Sequence, residues 1–312
     1  MGEHDQVASA GWARPASQGA RPVALNSIVS DQMQAPPPGP LRGSPLHRLQ
    51  ARTVGQLADA AFEVVRFRMN VVLAVVSCVV LPFTAIPILV ATLNGDLVDR
   101  TELLTGQFGS SLFRLNNWPS ALALVGSAIG QMLCGVGIAH AVGSWAVGVD
   151  PSVSQVLRHI LKRAPVAAGA YLVVLVPKAL GFLACYVGVI ASLAFFSLLA
   201  PVVGAETFGV YQSIRRATSL GRSRWGVLMV LCVISLVVSS LGALLAFVLP
   251  YEIGDVLGIP EAVPWITAVV STIGSGLSVA FVASVSALAY VDARVRSEGL
   301  DLQLCLAERI AT

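Results

Sequence analysis

Length, composition and charge indicate that much of this chain lies in a membrane. It has 312 residues, of which 55% are apolar and only 12% are Asp, Glu, Lys or Arg. A soluble globular domain carries about 25% charged residues, so this chain lacks the charge to cover a water-facing surface. The net charge of +3 is too small to indicate nucleic-acid binding.

The basic residues indicate the kind of source, and the cysteines bear on metal sites and disulfides. Only Lys162 and Lys178 among the 20 basic residues are lysine. This arginine bias, with abundant Ala, Val and Gly, is typical of a GC-rich coding sequence and indicates a bacterial source. The five cysteines form no CxxC pair and no His/Cys cluster. The sequence therefore predicts no metal site, no cofactor and no disulfide framework.

Residues 1–50 are rich in proline and small polar residues and show no apolar periodicity. Such a segment cannot bury enough apolar surface to offset the entropy lost on ordering. It predicts a disordered cytoplasmic tail, with partner binding by the Pro36–Pro38 cluster as the alternative. The expected division is this tail, a membrane domain at 51–303, and a short cytoplasmic tail at 304–312.

The sequence after residue 52 predicts an amphipathic helix. Thr53, with Gln56 three residues later, has the pattern of a capping box. Polar residues then recur at spacings of three and four, with apolar residues on the other face. The polar set is Gln56, Asp59, Glu63, Arg66 and Asn70. This helix would lead into the membrane, lying in the interface or packed on the bundle.

Long stretches without charge predict the membrane spans. They are 69–95, 115–149, 164–177, 179–205, 225–251 and 262–291. A span needs about 20 apolar residues, so four of these stretches read as single spans. The block at 164–205, interrupted only by Lys178, could be one long span, a re-entrant segment or a hairpin of two spans.

Charge asymmetry favours the hairpin. Both flanks of the block are basic: Arg158, Lys162 and Arg163 precede it, and Arg215, Arg216, Arg222 and Arg224 follow it. Cytoplasmic loops are enriched in Lys and Arg, so the block should cross twice, at about 165–184 and 188–204. The acidic loops at 96–114 and 252–261 read as external. The predicted fold is an all-α bundle of six spans in the cell membrane, with two interfacial amphipathic helices and both termini cytoplasmic.

Small residues at four-residue spacing predict close helix contacts within the bundle. The strips are Gly126, Gly130 and Cys134; Gly276, Ala280 and Ser284; and Ser235, Ser239 and Ala243. Such strips are typical of helix packing and indicate no particular function.

The second amphipathic stretch, at 206–224, is a candidate lipid contact. Phe208, Tyr211, Ile214 and Ala217 are predicted to share its apolar face. Its arginines, Arg215, Arg216, Arg222 and Arg224, would lie at the anionic cytoplasmic leaflet. Simple anchoring of the topology is the alternative.

Lys178 is the remaining candidate site residue. A lysine inside a span is by default a functional hypothesis. The alternative is that it extends to the outer interface, since no acidic residue lies within any span to pair with it.

Three stretches together resemble a known family. They are 52–62, 206–225 and the run Tyr290-x-Asp292-x-Arg294-x-Arg296-x-Glu298-Gly299-Leu300-Asp301. The chain is similar over 50–303 to the membrane-domain family named after glycerophosphoryl diester phosphodiesterases, common as stand-alone multi-span proteins in actinobacteria. The resemblance implies a six-helix membrane domain. We expect no catalytic barrel, because only about 20 residues follow the last span.

These patterns favour a non-catalytic membrane module that binds membrane lipids or other membrane proteins. The sequence contains no Walker A loop, GxSxG elbow or HExxH pair. The alternative is a permease-like transporter of a small anionic or lipid-derived substrate, with Lys178 attracting the anion. A membrane-embedded lipid-modifying enzyme is a third hypothesis.

Overall fold

The computed structural model describes residues 52–94, 118–146, 148–183, 192–258 and 263–299. Within these ranges the chain is helical and has no strand. The helices are α1 (Val54–Phe67), α2 (Met69–Asn94), α3 (Trp118–Ala146), α4 (Val153–Leu183), α5 (Leu199–Ala205), α6 (Val210–Ser223), α7 (Trp225–Leu257) and α8 (Val263–Glu298). Both predicted tails, the loop at 96–114 and the turn near Tyr186 lie outside the described residues.

Three helical stretches are long and apolar enough to cross a membrane. They are Val153–Lys178, Trp225–Gly242 and Trp265–Glu298. Met69–Val80 and Ser192–Ala205 are shorter apolar helices. The protein is therefore all-helical, with three candidate membrane-spanning helices among the described residues. Helix α4 is continuous through Pro165 and Pro177.

Helix α1 begins as its sequence predicts. The Thr53 backbone N–H donates to Gln56 Oε1 at 2.9 Å, and the Gln56 backbone N–H donates to Thr53 Oγ1 at 3.4 Å. Gln56, Asp59, Glu63 and Arg66 of the predicted polar face are exposed on α1, whereas Asn70 is exposed but lies on α2, because α1 ends at Phe67. The opposite face packs on α8, where the Phe62 ring lies 4.5 Å from that of Phe281. The capping box and the amphipathic character of α1 are confirmed.

Helices α3 and α8 form the centre of the bundle. Helix α3 packs against α2, α4, α5 and α8, and α8 also contacts α1, α2 and α7. The predicted strip Gly126, Gly130 and Cys134 is buried on α3. Ala280 and Ser284 are fully buried on α8. Small side chains therefore lie where these helices meet, as their spacing predicts.

The backbones of α3 and the short helix α5 lie close together. A Cβ on Gly135 would lie 2.6 Å from the Ala200 Cβ, and a Cβ on Gly204 would collide with the carbonyl oxygen of Val136. These glycines fall outside the predicted strips. Helix α5 can lie directly on α3 because each helix has a glycine at the crossing, Gly135 on α3 and Gly204 on α5.

The buried face of α6 differs from the prediction. Tyr211, predicted on the apolar face, is 76% exposed. The buried residues are Ser213, Ala217, Leu220 and Gly221. A Cβ on Gly221 would lie 3.1 Å from the Phe195 carbonyl oxygen. The apolar-face prediction was wrong for Tyr211 because α6 packs through small residues, which allow close contact, rather than through its largest apolar side chain.

Candidate functional site

The C-terminal part of α8 presents its polar residues on two faces. Tyr290, Arg294 and Glu298 are spaced by four residues and share one face of the helix. Asp292 and Arg296 are also four apart. They are offset from Tyr290 and Arg294 by two residues, which is about 200° around the helix. The run of alternating polar residues therefore makes two separate networks.

The Glu206 network joins α5, α6 and α8; it consists of Glu206, Arg216, Tyr290, Arg294 and Glu298. Glu206 is only 1% exposed. Its Oε1 accepts hydrogen bonds from the Tyr290 hydroxyl at 2.7 Å and from Arg216 Nε at 3.3 Å. Arg216 also pairs with Glu298, which accepts from Arg294 Nε at 2.9 Å. Among these five residues, two carboxylates balance two guanidinium groups.

Arg216 is held in its charged form inside this network. Burial lowers the pKa of its guanidinium, but the charges of Glu206 and Glu298 and their hydrogen bonds outweigh that effect and raise the pKa overall. Arg216 therefore serves as a contact between helices in this structure. It is not an exposed cation of the surface.

Side chains from α4 bind the carbonyl groups at the end of α5. His159 Nε2 lies 2.9 Å from the Gly204 oxygen, and Arg163 Nη2 donates to the Glu206 backbone oxygen at 2.8 Å. The last carbonyls of a helix have no partner within it and favour nearby positive charge. The His140 ring of α3 stacks on His159, with centroids 3.9 Å apart. These contacts fix α5 between α3 and α4.

The Asp292 network joins the beginning of the described chain to its end; it consists of Arg52, Arg224, Asp292 and Arg296. Asp292 is 4% exposed and accepts from Arg224 Nη2 at 2.9 Å, from the Arg52 backbone N–H at 2.9 Å and from Arg296 Nε at 3.2 Å. Arg296 Nη2 also donates to the Arg52 carbonyl oxygen at 3.1 Å. Both the backbone N–H and the carbonyl oxygen of Arg52, just before the capping box, are thus hydrogen-bonded to side chains of α8.

The outer surface of α6 carries an exposed stripe, here called the cationic stripe. Its residues are Tyr211, Arg215, Ser219 and Arg222, all exposed. Spacings of four, four and three place them within one side of the helix, opposite the buried residues. Of the four arginines predicted to contact lipid, Arg215 and Arg222 therefore lie on the surface. Arg216 and Arg224 are instead engaged in the two networks.

Lys178 lies away from both networks. Its Nζ is 5.0 Å from the centroid of the Tyr171 ring on the same helix. Lys178 and the arginines of α6 thus lie in different parts of the fold, although all were predicted from the sequence as substrate or lipid contacts.

Sequence reasoning missed the two buried carboxylates and the histidine stack. A usable signal existed for Glu206, since it is the single acidic residue between Asp150 and Glu252 in a region rich in arginine. The four-residue spacings after Tyr290 could also have indicated two faces. For the stacked histidines we find no comparable sequence signal.

Comparisons with known proteins do not identify a family. The chain matches no protein-family model, no curated protein and no solved structure. The resemblance to the phosphodiesterase-associated membrane domains therefore stays a prediction. In the part of the chain that the structure describes, no group of three or more His, Cys, Asp or Glu residues could hold a metal ion.

Proposed function

We propose that this chain is a six-span membrane module without catalytic activity, and that its basic end binds anionic phospholipids of the cytoplasmic leaflet. The observation that carries the proposal is the cationic stripe of α6. Two arginines and a tyrosine are exposed there in one row, while the neighbouring arginines already have carboxylate partners.

The positions of the helix ends support the proposed topology. The two networks gather the start of α1, the end of α5, the junction of α6 and α7, and the end of α8. Arg68, just before α2, also pairs at 2.5 Å with Asp150, which follows α3. Helices that alternate in direction across a membrane would bring these ends to the same side. Arginine-rich ends belong on the cytoplasmic side.

The chemistry of the stripe suits a lipid headgroup. Arginine binds phosphate oxygens through several N–H donors at once. Tyrosine is enriched at the membrane interface, where its ring is apolar and its hydroxyl is hydrated. Each basic residue near an anionic leaflet contributes about 1 kcal/mol. Arg215 and Arg222 together would therefore strengthen binding to anionic lipid roughly thirtyfold.

The hydrogen bonds of the two buried carboxylates support the absence of catalytic activity in this proposal. Glu206 and Asp292 both accept several hydrogen bonds from neighbouring helices. Groups held in this way stabilise the packing of helices, and removing one partner leaves a buried charge uncompensated. Their arrangement favours a structural role over acid–base chemistry.

Retained lipid tests the proposal directly. The full chain and a double variant, Arg215→Gln with Arg222→Gln, would be purified in mild detergent, and bound lipids and proteins would be identified by mass spectrometry. The matched control is Gln212→Ala, which changes an exposed uncharged residue of the same helix outside the stripe.

We expect the double arginine variant to lose most of its anionic phospholipid and the control to keep it. Equal retention in all three proteins would contradict the proposal. Loss of a co-purifying protein, with lipid retention unchanged, would instead identify the stripe as a protein-binding surface. The alternative prediction of a permease depends on Lys178 and is independent of this result.

A further inference from the structure

Ser219 lies in the middle of the cationic stripe of α6. Its side chain is exposed, with the exposed Arg215 four residues before it and the exposed Arg222 three residues after it. Residues at these spacings are neighbours on a helix surface, with Cβ atoms about 5–6 Å apart. A group attached to the Ser219 hydroxyl would therefore lie within reach of both guanidinium groups of the stripe.

The Ser219 hydroxyl differs from the other Ser and Thr hydroxyls of α6. Thr218 Oγ1 and Ser223 Oγ both donate to the backbone carbonyl oxygen three residues earlier, at 2.9 and 2.8 Å. Ser213 is fully buried. The Ser219 side chain is exposed and makes no hydrogen bond to any residue that the structure describes. Within α6, Ser219 thus presents its hydroxyl to the surroundings without an internal partner.

The residues around Ser219 suit recognition by a protein kinase that prefers basic sequences. Arg215 and Arg216 lie four and three residues before it, and kinases select substrates partly by such patterns of charge. The helix is also weak at this point, because Thr, Ser and Gly are poorer helix formers than Ala or Leu. Gly221 lies two residues before the end of α6 at Ser223. Helix ends open locally at little cost in free energy, which makes the segment available in an extended form.

A phosphate on Ser219 would cancel the charge of the cationic stripe. Phosphoserine carries a charge of about −1.5 to −2 at pH 7 and offers three acceptor oxygens, against the two positive charges of Arg215 and Arg222. Arginine binds phosphate through several N–H donors at once. Both guanidinium groups would then pair with the modified side chain rather than with a lipid headgroup. Basic segments beside a membrane are released from anionic leaflets by phosphorylation in this way.

We propose that Ser219 is a phosphorylation site that controls lipid binding by the cationic stripe. A serine kinase transfers the γ-phosphoryl group of ATP to Ser219 Oγ. The new O–P bond forms, the bond from the γ-phosphorus to the bridging oxygen breaks, ADP leaves, and the hydroxyl proton passes to solvent. Hydrolysis by a phosphatase reverses the change. The inference rests on the proposed function, because the bound lipid and the cytoplasmic position of α6 both belong to it.

Phosphate placed directly on Ser219 tests its effect on lipid binding. The full chain would be produced with phosphoserine at position 219 by genetic code expansion and purified in mild detergent. Retained anionic phospholipid would be measured by mass spectrometry, before and after treatment with a phosphatase. The matched control carries phosphoserine at position 154, since Ser154 is also exposed, near the start of α4, but lies outside the stripe.

We expect phosphorylation of Ser219 to weaken retention of anionic phospholipid roughly thirtyfold, the factor expected for loss of both arginines of the stripe. Phosphatase treatment should restore retention, and phosphorylation of Ser154 should leave it unchanged. Unchanged retention with phosphorylated Ser219, alongside loss in the double arginine variant, would overturn the inference and leave the proposed function intact. Unchanged retention in both would contradict the proposed function and the inference with it. Equal losses from the two phosphates would also overturn the inference.

The phosphate itself would be sought in the protein isolated from its native cells, in growing and in resting cultures. Trypsin cleaves after Arg216 and Arg222 and so releases the peptide 217–222, which contains Thr218 and Ser219. We expect this peptide to carry phosphate on Ser219 in at least one of the two cultures. A peptide without phosphate in both cultures, or with phosphate on Thr218 alone, would overturn the inference.

Discussion

Replacing Asp292 by Asn tests whether the charged end of α8 holds the bundle together. Asparagine has nearly the same shape and keeps one oxygen acceptor, but it carries no charge. The remaining oxygen can still accept from the Arg52 backbone N–H, whereas the new amide group presents N–H donors to Arg224. Arg224 then loses the carboxylate to which it donates at 2.9 Å.

The magnitude follows from burial. Removing one partner of a buried ion pair costs about 3–5 kcal/mol. Asp292 is 4% exposed, but the side chains of Arg224 and Arg296 are 23% and 38% exposed and partly hydrated. Solvent screening reduces the loss for such groups. We therefore expect Asp292→Asn to lower the free energy of unfolding by about 3 kcal/mol.

Asp150→Asn is the matched control. Asp150 also pairs with an arginine, but the side chains of Arg68 and Asp150 are 43% and 39% exposed. The hydrogen bond that Asp150 accepts from Trp145 Nε1 at 3.1 Å can be kept by the asparagine oxygen. An ion pair exposed to that extent contributes about 0–1 kcal/mol. Both variants would be unfolded reversibly by SDS titration in mixed micelles, with tryptophan fluorescence as the readout. Equal losses for the two variants, or a loss below about 1 kcal/mol for Asp292→Asn, would refute the structural role of the Asp292 network.

Four further substitutions can be measured with the same unfolding assay. Gly204→Ala should destabilise the protein by about 1–3 kcal/mol, because the added Cβ meets the backbone of α3. Its control, Gly143→Ala, has open space around it and should be neutral or stabilising by up to about 1 kcal/mol. A larger loss for Gly143→Ala than for Gly204→Ala would contradict the close packing of α5. Thr53→Ala should cost about 1 kcal/mol and speed hydrogen exchange in the first turn of α1; unchanged exchange would exclude a capping role. Tyr290→Phe removes a donor from the buried Glu206 carboxylate and should cost about 1–3 kcal/mol; no measurable loss would mean that Glu206 is satisfied without it.

Local features of the fold could be predicted from the sequence. The uncharged stretch at 225–251 corresponds to Trp225–Leu257, and the stretch at 69–95 corresponds to Met69–Asn94. Thr53 and Gln56 form the expected capping box because both partners lie within one turn of the chain. Periodicity and capping depend on residues three or four apart, so one sequence is enough to show them.

Contacts between distant residues could not be predicted in this way. Arg216 pairs with Glu298, 82 residues away, and Arg224 pairs with Asp292, 68 residues away. Counting loop charges predicted both arginines at the lipid surface, because the count does not show which carboxylates pair with them in the folded chain. Only Arg215 and Arg222 remain candidates for that role. The number of spans also stays a prediction, with three candidate spanning helices found in the described residues.

Cysteine accessibility tests most directly whether the basic end of a six-span bundle faces the cytoplasm. In a chain whose five native cysteines are replaced, single cysteines would be placed at Ser154, beside the basic start of α4, and at Glu252, near the end of α7. Both positions are exposed. We expect a membrane-impermeant thiol reagent to label Glu252→Cys in intact cells and to label Ser154→Cys only after permeabilisation. Labelling of Ser154→Cys in intact cells, or protection of Glu252→Cys, would contradict this orientation.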